Sequence, residues 1–149
     1  MHSNFLSKFT KFCLDFMFYC GILVTITVPL SFKFLGIYYP NIGNHYIIMC
    51  MIFMLCGVLA LWIIYHLRCI FRTVIEEDCF VEENVTSLKR MGTTSFFISF
   101  VTLIRLFFVV TPATLIIILV FFIAGLFSLV LAQVFAQAIS YKQENDFTI

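Results

Sequence analysis

Arg68–Gly92, RCIFRTVIEEDCFVEENVTSLKRMG, is the one stretch of this chain in which charge collects. It carries four of the nine basic residues and five of the eight acidic ones, between long apolar runs. A polar island in that setting reads as a connector between two membrane hairpins. Its position sets the layout of everything else.

The composition agrees. Of 149 residues, 62% are hydrophobic and only 11% charged, with a mean hydropathy of +1.08. A soluble domain is about one-quarter charged, so lipid is the expected solvent and the bilayer the expected partner. A net charge of +1 offers no basic face for nucleic acid. Phe dominates the aromatics and no segment alternates with the period of two that a membrane barrel needs, so the spans are helices. The six cysteines form no C-x-x-C pair, and they read as small hydrophobes without a disulfide framework.

Working outward, residues 12–32, 46–67, 93–110 and 113–135 are each apolar and long enough to approach or cross a core of roughly 30 Å at about 1.5 Å per residue. The expected fold is therefore an all-α integral membrane protein, a single domain over residues 1–149. It has four spans in two hairpins, a connector at 68–92 and a tail at 136–149. The basic start and apolar run at the N-terminus also suit a signal peptide. The run is long for one and lacks an A-x-A-like site, so a retained span is expected. Asp15 is expected to reach headgroups or Lys11. Residues 33–45, with Gly36, Pro40, Asn41, Gly43 and Asn44, read as a loop, and Tyr38, Tyr39 and Tyr46 as interfacial residues with their hydroxyls among headgroups. Thr111-Pro112 marks the other turn.

Counting Lys and Arg near span ends gives Lys8, Lys11, Arg68, Arg72, Lys89, Arg90 and Lys142 on one side, against Lys33 and Arg105 on the other. Seven against two places both termini and the connector in the cytoplasm. Arg105 is the one basic residue well inside a span. Three readings are open: snorkelling to the outer headgroups, which its position favours, a buried partner, or a ligand or transport role.

Small residues mark helix-packing seams. Ala124, Ser128, Ala132, Ala136 and Ser140 recur every four residues on the fourth span, and Ser95, Ser99 and Thr102 share a face of the third. These read as seams of a four-helix bundle, with room for a homo-oligomer seam. His66, Cys69, Cys79, Glu76 and Glu77 lack zinc-like spacing, so no metal and no cofactor is expected. No phosphate loop, H-E-x-x-H or nucleophile elbow occurs, and the chain is expected not to be an enzyme.

The connector reads as two helix extensions and a turn. Leu67, Ile70, Phe71 and Val74 continue the second span, Glu77-Asp78-Cys79 interrupt, and Val81, Val85, Leu88 and Met91 restart an amphipathic period. Its exposed surface is the expected docking site for a cytoplasmic protein: Arg68, Arg72, Phe80, Glu83, Asn84, Lys89 and Arg90, joined by Glu144 and Asp146 of the tail. The tail acids are expected to pack against Arg68 and Arg72.

Two segments carry a resemblance: Phe80-Val81-Glu82-Glu83-Asn84-Val85 running to Leu88-Lys89-Arg90-Met91-Gly92, and Leu131-Ala132-Gln133-Val134-Phe135 running to Glu144-Asn145-Asp146-Phe147-Thr148-Ile149. The chain resembles the bacterial four-span membrane proteins of domain of unknown function 2975. That family often has Gly and Pro where this chain has Glu77 and Cys79, and Gly where it has Ala138, which implies a looser turn here. Family members often lie beside a small helix-turn-helix regulator. The resemblance thus implies a sensing or regulatory membrane component that engages such a partner through connector and tail. The alternative is an immunity protein or an accessory subunit of a membrane transporter acting through its spans.

Overall fold

The computed structural model describes residues 2–38, 40, 46–108 and 110–147. Among them every regular element is a helix: α1 His2–Tyr38, α2 Tyr46–Ile75, α3 Glu82–Arg105 and α4 Pro112–Phe147. Each helix packs on its neighbour in sequence, and α1 and α4 make no close backbone approach. The four thus stand in an up-and-down row. One end carries the 76–81 turn (the connector end), and the other carries the two hairpin turns (the hairpin end).

α1, α2 and α4 are long and apolar enough to cross a membrane, and 11% of the most apolar window of each is buried inside the protein. Apolar surface left uncovered on that scale requires lipid, so this is a membrane protein. α3 is different. Its first half, EENVTSLKRMGTTS, is polar, and its apolar stretch, Phe96–Phe108, would rise only about 20 Å as an ideal helix. The α-helix stops at Arg105, short of the expected 110. Its last turn tightens, with the amides of Leu106, Phe107 and Phe108 bonded three residues back. Val109 lies outside the described residues.

The first loop also starts later than the sequence suggests. Lys33–Tyr38 is helical, since one Gly in an apolar run does not outweigh the packing around it. Residues 39 and 41–45, on which the rest of the loop reading falls, lie outside the described residues. The Tyr46 hydroxyl does not go to headgroups; it donates to the Pro29 carbonyl at 2.8 Å and ties α1 to α2.

Close packing within the hairpins follows the small residues. A Cβ on Gly57 would sit 2.8 Å from the Thr25 hydroxyl, and one on Gly21 2.8 Å from Leu61. The Thr25 hydroxyl donates to its own helix at Gly21 O, 2.7 Å, and so is paired within that helix. Between α3 and α4 the backbones come close at Gly92 and Gly125, where each imagined Cβ lies 3.1 Å from the other's carbonyl oxygen. Ser99 donates across the same interface to Ile118 O at 3.1 Å. α4 then opens on an N-cap, the Thr111 hydroxyl accepting from the Thr114 amide at 3.3 Å, with Pro112 in the first helical position.

At the connector end α2, α3 and α4 continue as a short three-helix stalk. Its core is Ile70, Val85, Leu88, Met91, Ala132 and Ile139. α2 and α4 rise about 45 and 54 Å, which exceeds the roughly 30 Å a bilayer requires, so water-driven burial is available to this stalk and not to the spans.

The turn between α2 and α3 is tight. The Glu77 amide donates to Val74 O at 3.1 Å and the Asp78 amide to Thr73 O at 3.0 Å, a complete Schellman closure with Glu77 at φ 62°. The absent Gly therefore does not loosen the turn; Glu77 adopts the left-handed conformation that Gly adopts at no steric cost. Glu77→Gly is expected to stabilise the protein by about 0.5–1 kcal/mol, read as a rise in thermal unfolding temperature. An unchanged or lower temperature would show that the conformation carries no strain.

Candidate functional site

The best candidate working surface is the tip of the stalk. Glu76, Glu77 and Asp78 of the turn and Glu82 and Glu83 of the first turn of α3 are all exposed. Glu82 and Glu83 stand where a helix N-terminus favours acids. Glu144 and Asp146 are exposed on the last turns of α4. Seven of the eight acids in the chain thus gather here, the eighth being Asp15. Arg72, Lys89 and Arg90 are exposed in a collar nearer the spans, and Lys89 and Arg90 share a shallow groove with Trp62, Thr93 and Thr94. Apart from Lys142, which lies beside Asp78 on the tip, the surface is therefore layered, cations toward the spans and anions toward the tip.

Two of the residues expected to contact a partner, Asn84 and Arg68, make their contacts within the protein. Asn84 is 2% exposed, and its amide donates to Thr73 Oγ1 at 2.7 Å and to Cys79 O at 2.6 Å. It fastens the turn to both helices because the connector's backbone needs a donor that neither helix supplies. Arg68 turns to α1, its Nε donating to Asp15 Oδ1 at 2.5 Å with its guanidinium 4.8 Å over the Phe18 ring. The partner of Asp15 among the described residues is therefore Arg68 and not Lys11. Phe80 lies edge-on to Phe135, ring centroids 5.2 Å apart, and keeps 43% of its surface exposed.

Tail and connector do meet. Ile139 packs in the stalk core with Ile70 and Val85, and Lys142 Nζ lies 3.7 Å from Asp78 Oδ1. That pairing has the opposite polarity to the one expected, base on the tail and acid on the connector. Both partners are largely exposed, so the pair orients more than it stabilises.

Among the packing residues, Ser95, Ser99, Thr102, Ser128 and Ala132 are buried, Ala124 is half-buried, and Ala136 and Ser140 are exposed. A strict four-residue stripe advances about 40° per step around a 3.6-residue helix, so it leaves the interface after two or three steps. The seam of α4 instead runs through Gly125, Ser128, Ala132 and Ile139.

Arg105 does not snorkel. It is 8% exposed, and its guanidinium lies 4.5 Å over the ring of Phe53 on α2. His66 is likewise buried, edge-on to Trp62, with Nδ1 3.3 Å from Ser87 Oγ. Among the described residues no three His, Cys, Asp or Glu side chains gather as metal ligands.

No curated protein and no solved structure matches the chain. A match to the family described as Protein of unknown function (DUF2975) runs over residues 24–149, covering the C-terminal part of α1, all of α2 to α4 and both segments that carry the resemblance. By that match the chain belongs to the DUF2975 family of proteins of unknown function.

Proposed function

We propose that this chain is a multi-pass protein of the bacterial cytoplasmic membrane that works by binding rather than catalysis, holding a soluble partner on the acidic tip of its stalk. The reading has four spans, with both termini and the connector in the cytoplasm. The register of α3 supports the fourth span. α3 follows α2 from His66–Ser87 at the connector end to Phe53–Arg105 at the hairpin end, and so descends alongside a helix long enough to cross. The cationic collar, Arg72, Lys89 and Arg90, suits the anionic headgroups of a cytoplasmic leaflet.

The observation that carries the docking reading is the charge layering. A tip of five exposed carboxylates, set on a rigid turn and flanked by the half-exposed ring of Phe80, complements a partner with a basic face. A small helix-turn-helix regulator has such a face, because it must meet phosphates. The protein would then act as a membrane-held component of a sensing or regulatory pair.

The test neutralises the tip. With Glu76, Glu77, Glu82 and Glu83 changed to Gln and Asp78 to Asn in the full chain, capture of the soluble partner is expected to fall about tenfold or more, a loss of about 1.4 kcal/mol. The native interaction should weaken with salt. Undiminished capture by the neutralised chain would remove the platform reading. It would favour an accessory subunit or immunity protein that acts through its spans.

A further inference from the structure

We propose that the cleft at the hairpin end is a binding site for a single-chain anionic amphiphile, which enters from the bilayer and places its oxyanion on the Arg105 guanidinium. The cleft has a volume of about 250 Å³ and is walled by all four helices, among them Val24 and Val28 of α1, Phe53 and Cys56 of α2 and Phe121 of α4. Arg105 lines it from α3, more than nine-tenths buried, and its Nε has no hydrogen-bond partner among the described residues. A guanidinium keeps its charge in proteins, and a buried charge calls for a counter-charge. The Phe53 ring answers only part of that need.

The chain supplies no such counter-charge. Residues 16–75 and 84–143 contain no Asp or Glu, and Asp15 is held by Arg68 at the far end of α1. The anion must come from outside, and the walls select its form. α1 and α4 both line the cleft without packing on one another, so the cleft opens between them toward lipid. A hydrated ion would shed its water against Val24, Val28 and Phe121, whereas an acyl chain gains contact with the same surfaces. The volume falls below the roughly 300–1,000 Å³ of a drug-sized pocket, room for a headgroup and part of one chain. A fatty carboxylate and a lysophospholipid phosphate share this chemistry. The site is independent of what the stalk docks.

Cys56 reports on occupancy. The full chain is placed in phosphatidylcholine nanodiscs, and alkylation of Cys56 by N-ethylmaleimide is followed by mass spectrometry, with Cys13 at the connector end as the internal control. A long-chain fatty carboxylate or a lysophosphatidate is expected to slow labelling of Cys56 about tenfold at about ten times its dissociation constant, leaving Cys13 unchanged. Whichever of the two protects at lower concentration identifies the source. The methyl ester of the same fatty acid should not protect. Arg105→Lys should keep the contrast between acid and ester, and Arg105→Gln should abolish it. Three results would each overturn the proposal: equal protection by the ester, equal protection by inorganic phosphate alone, or protection by the acid that survives Arg105→Gln. Should Arg105→Gln fail to fold, the comparison of acid and ester on the native chain decides.

Discussion

Gly125→Leu is expected to lower the stability of the detergent-solubilised protein by about 3 kcal/mol or more, while Ala136→Leu on the same helix leaves it unchanged. At Gly125 a Cβ already meets the Gly92 carbonyl and the Phe96 ring at 3.1 Å. The carbonyl belongs to helix backbone and cannot turn aside, so a branched side chain must push α3 and α4 apart. Overpacking a filled core costs about 1–3 kcal/mol before secondary losses. Separation would also break the bond from Ser99 to Ile118 O, worth about 0.6 kcal/mol by comparison with other membrane helices. In lipid the helices gain little from burying apolar surface, and close contact of backbones is the main attraction given up. Gly92→Leu should behave alike, somewhat less severely, because its nearest neighbour is the flexible Leu129 side chain at 2.9 Å. Ala136 is exposed, and a larger side chain there meets open space. Thermal unfolding of the two variants checks the pair of outcomes. A drop for Ala136→Leu matching that for Gly125→Leu would place the seam on the strict four-residue stripe instead.

Much of the architecture is legible in the sequence because lipid imposes simple rules. Apolar run length gives the long helices, and the Glu77–Cys79 interruption marks where α2 and α3 part. What the sequence hides is pairing across distance. Nothing near Arg68 indicates that its carboxylate is Asp15, 53 positions away on another helix. Arg105 reads as a snorkelling residue because its distance along α3 suits that. Its direction depends on which face α2 covers, and only the register of Phe53 shows it. The small-residue stripe fails for a similar reason. A spacing of four resembles the helical repeat over two steps and departs from it over four, so Ser128 and Ala132 are buried while Ala136 is not. Gly92 and Gly125 lie near the readable pattern, but their contact depends on the relative height of two helices.

Asn84 carries the second large effect, and it separates a docking residue from a structural one. Asn84→Ala is expected to cost about 1–3 kcal/mol, because the Cys79 carbonyl and the Thr73 hydroxyl oxygen each lose a donor inside the protein. The Thr73 hydroxyl donates to Ile70 O at 2.6 Å, so Asn84 ends a short relay in which each bond polarises the next. Asn84→Asp keeps the shape yet should cost more than the Ala change above pH about 6, since an ionised carboxylate cannot donate and would face a carbonyl oxygen. The protonated acid can donate once, so folding favours the proton and raises the folded carboxyl above its ordinary value near 4. The excess penalty of Asn84→Asp is then absent below about pH 4 and grows as pH rises through the raised folded value, while the penalty of Asn84→Ala at this site is flat. Unfolding temperatures of both variants between about pH 4 and 8 read the difference. If both variants melt like the native chain and lose only the soluble partner, Asn84 belongs to the docking surface after all.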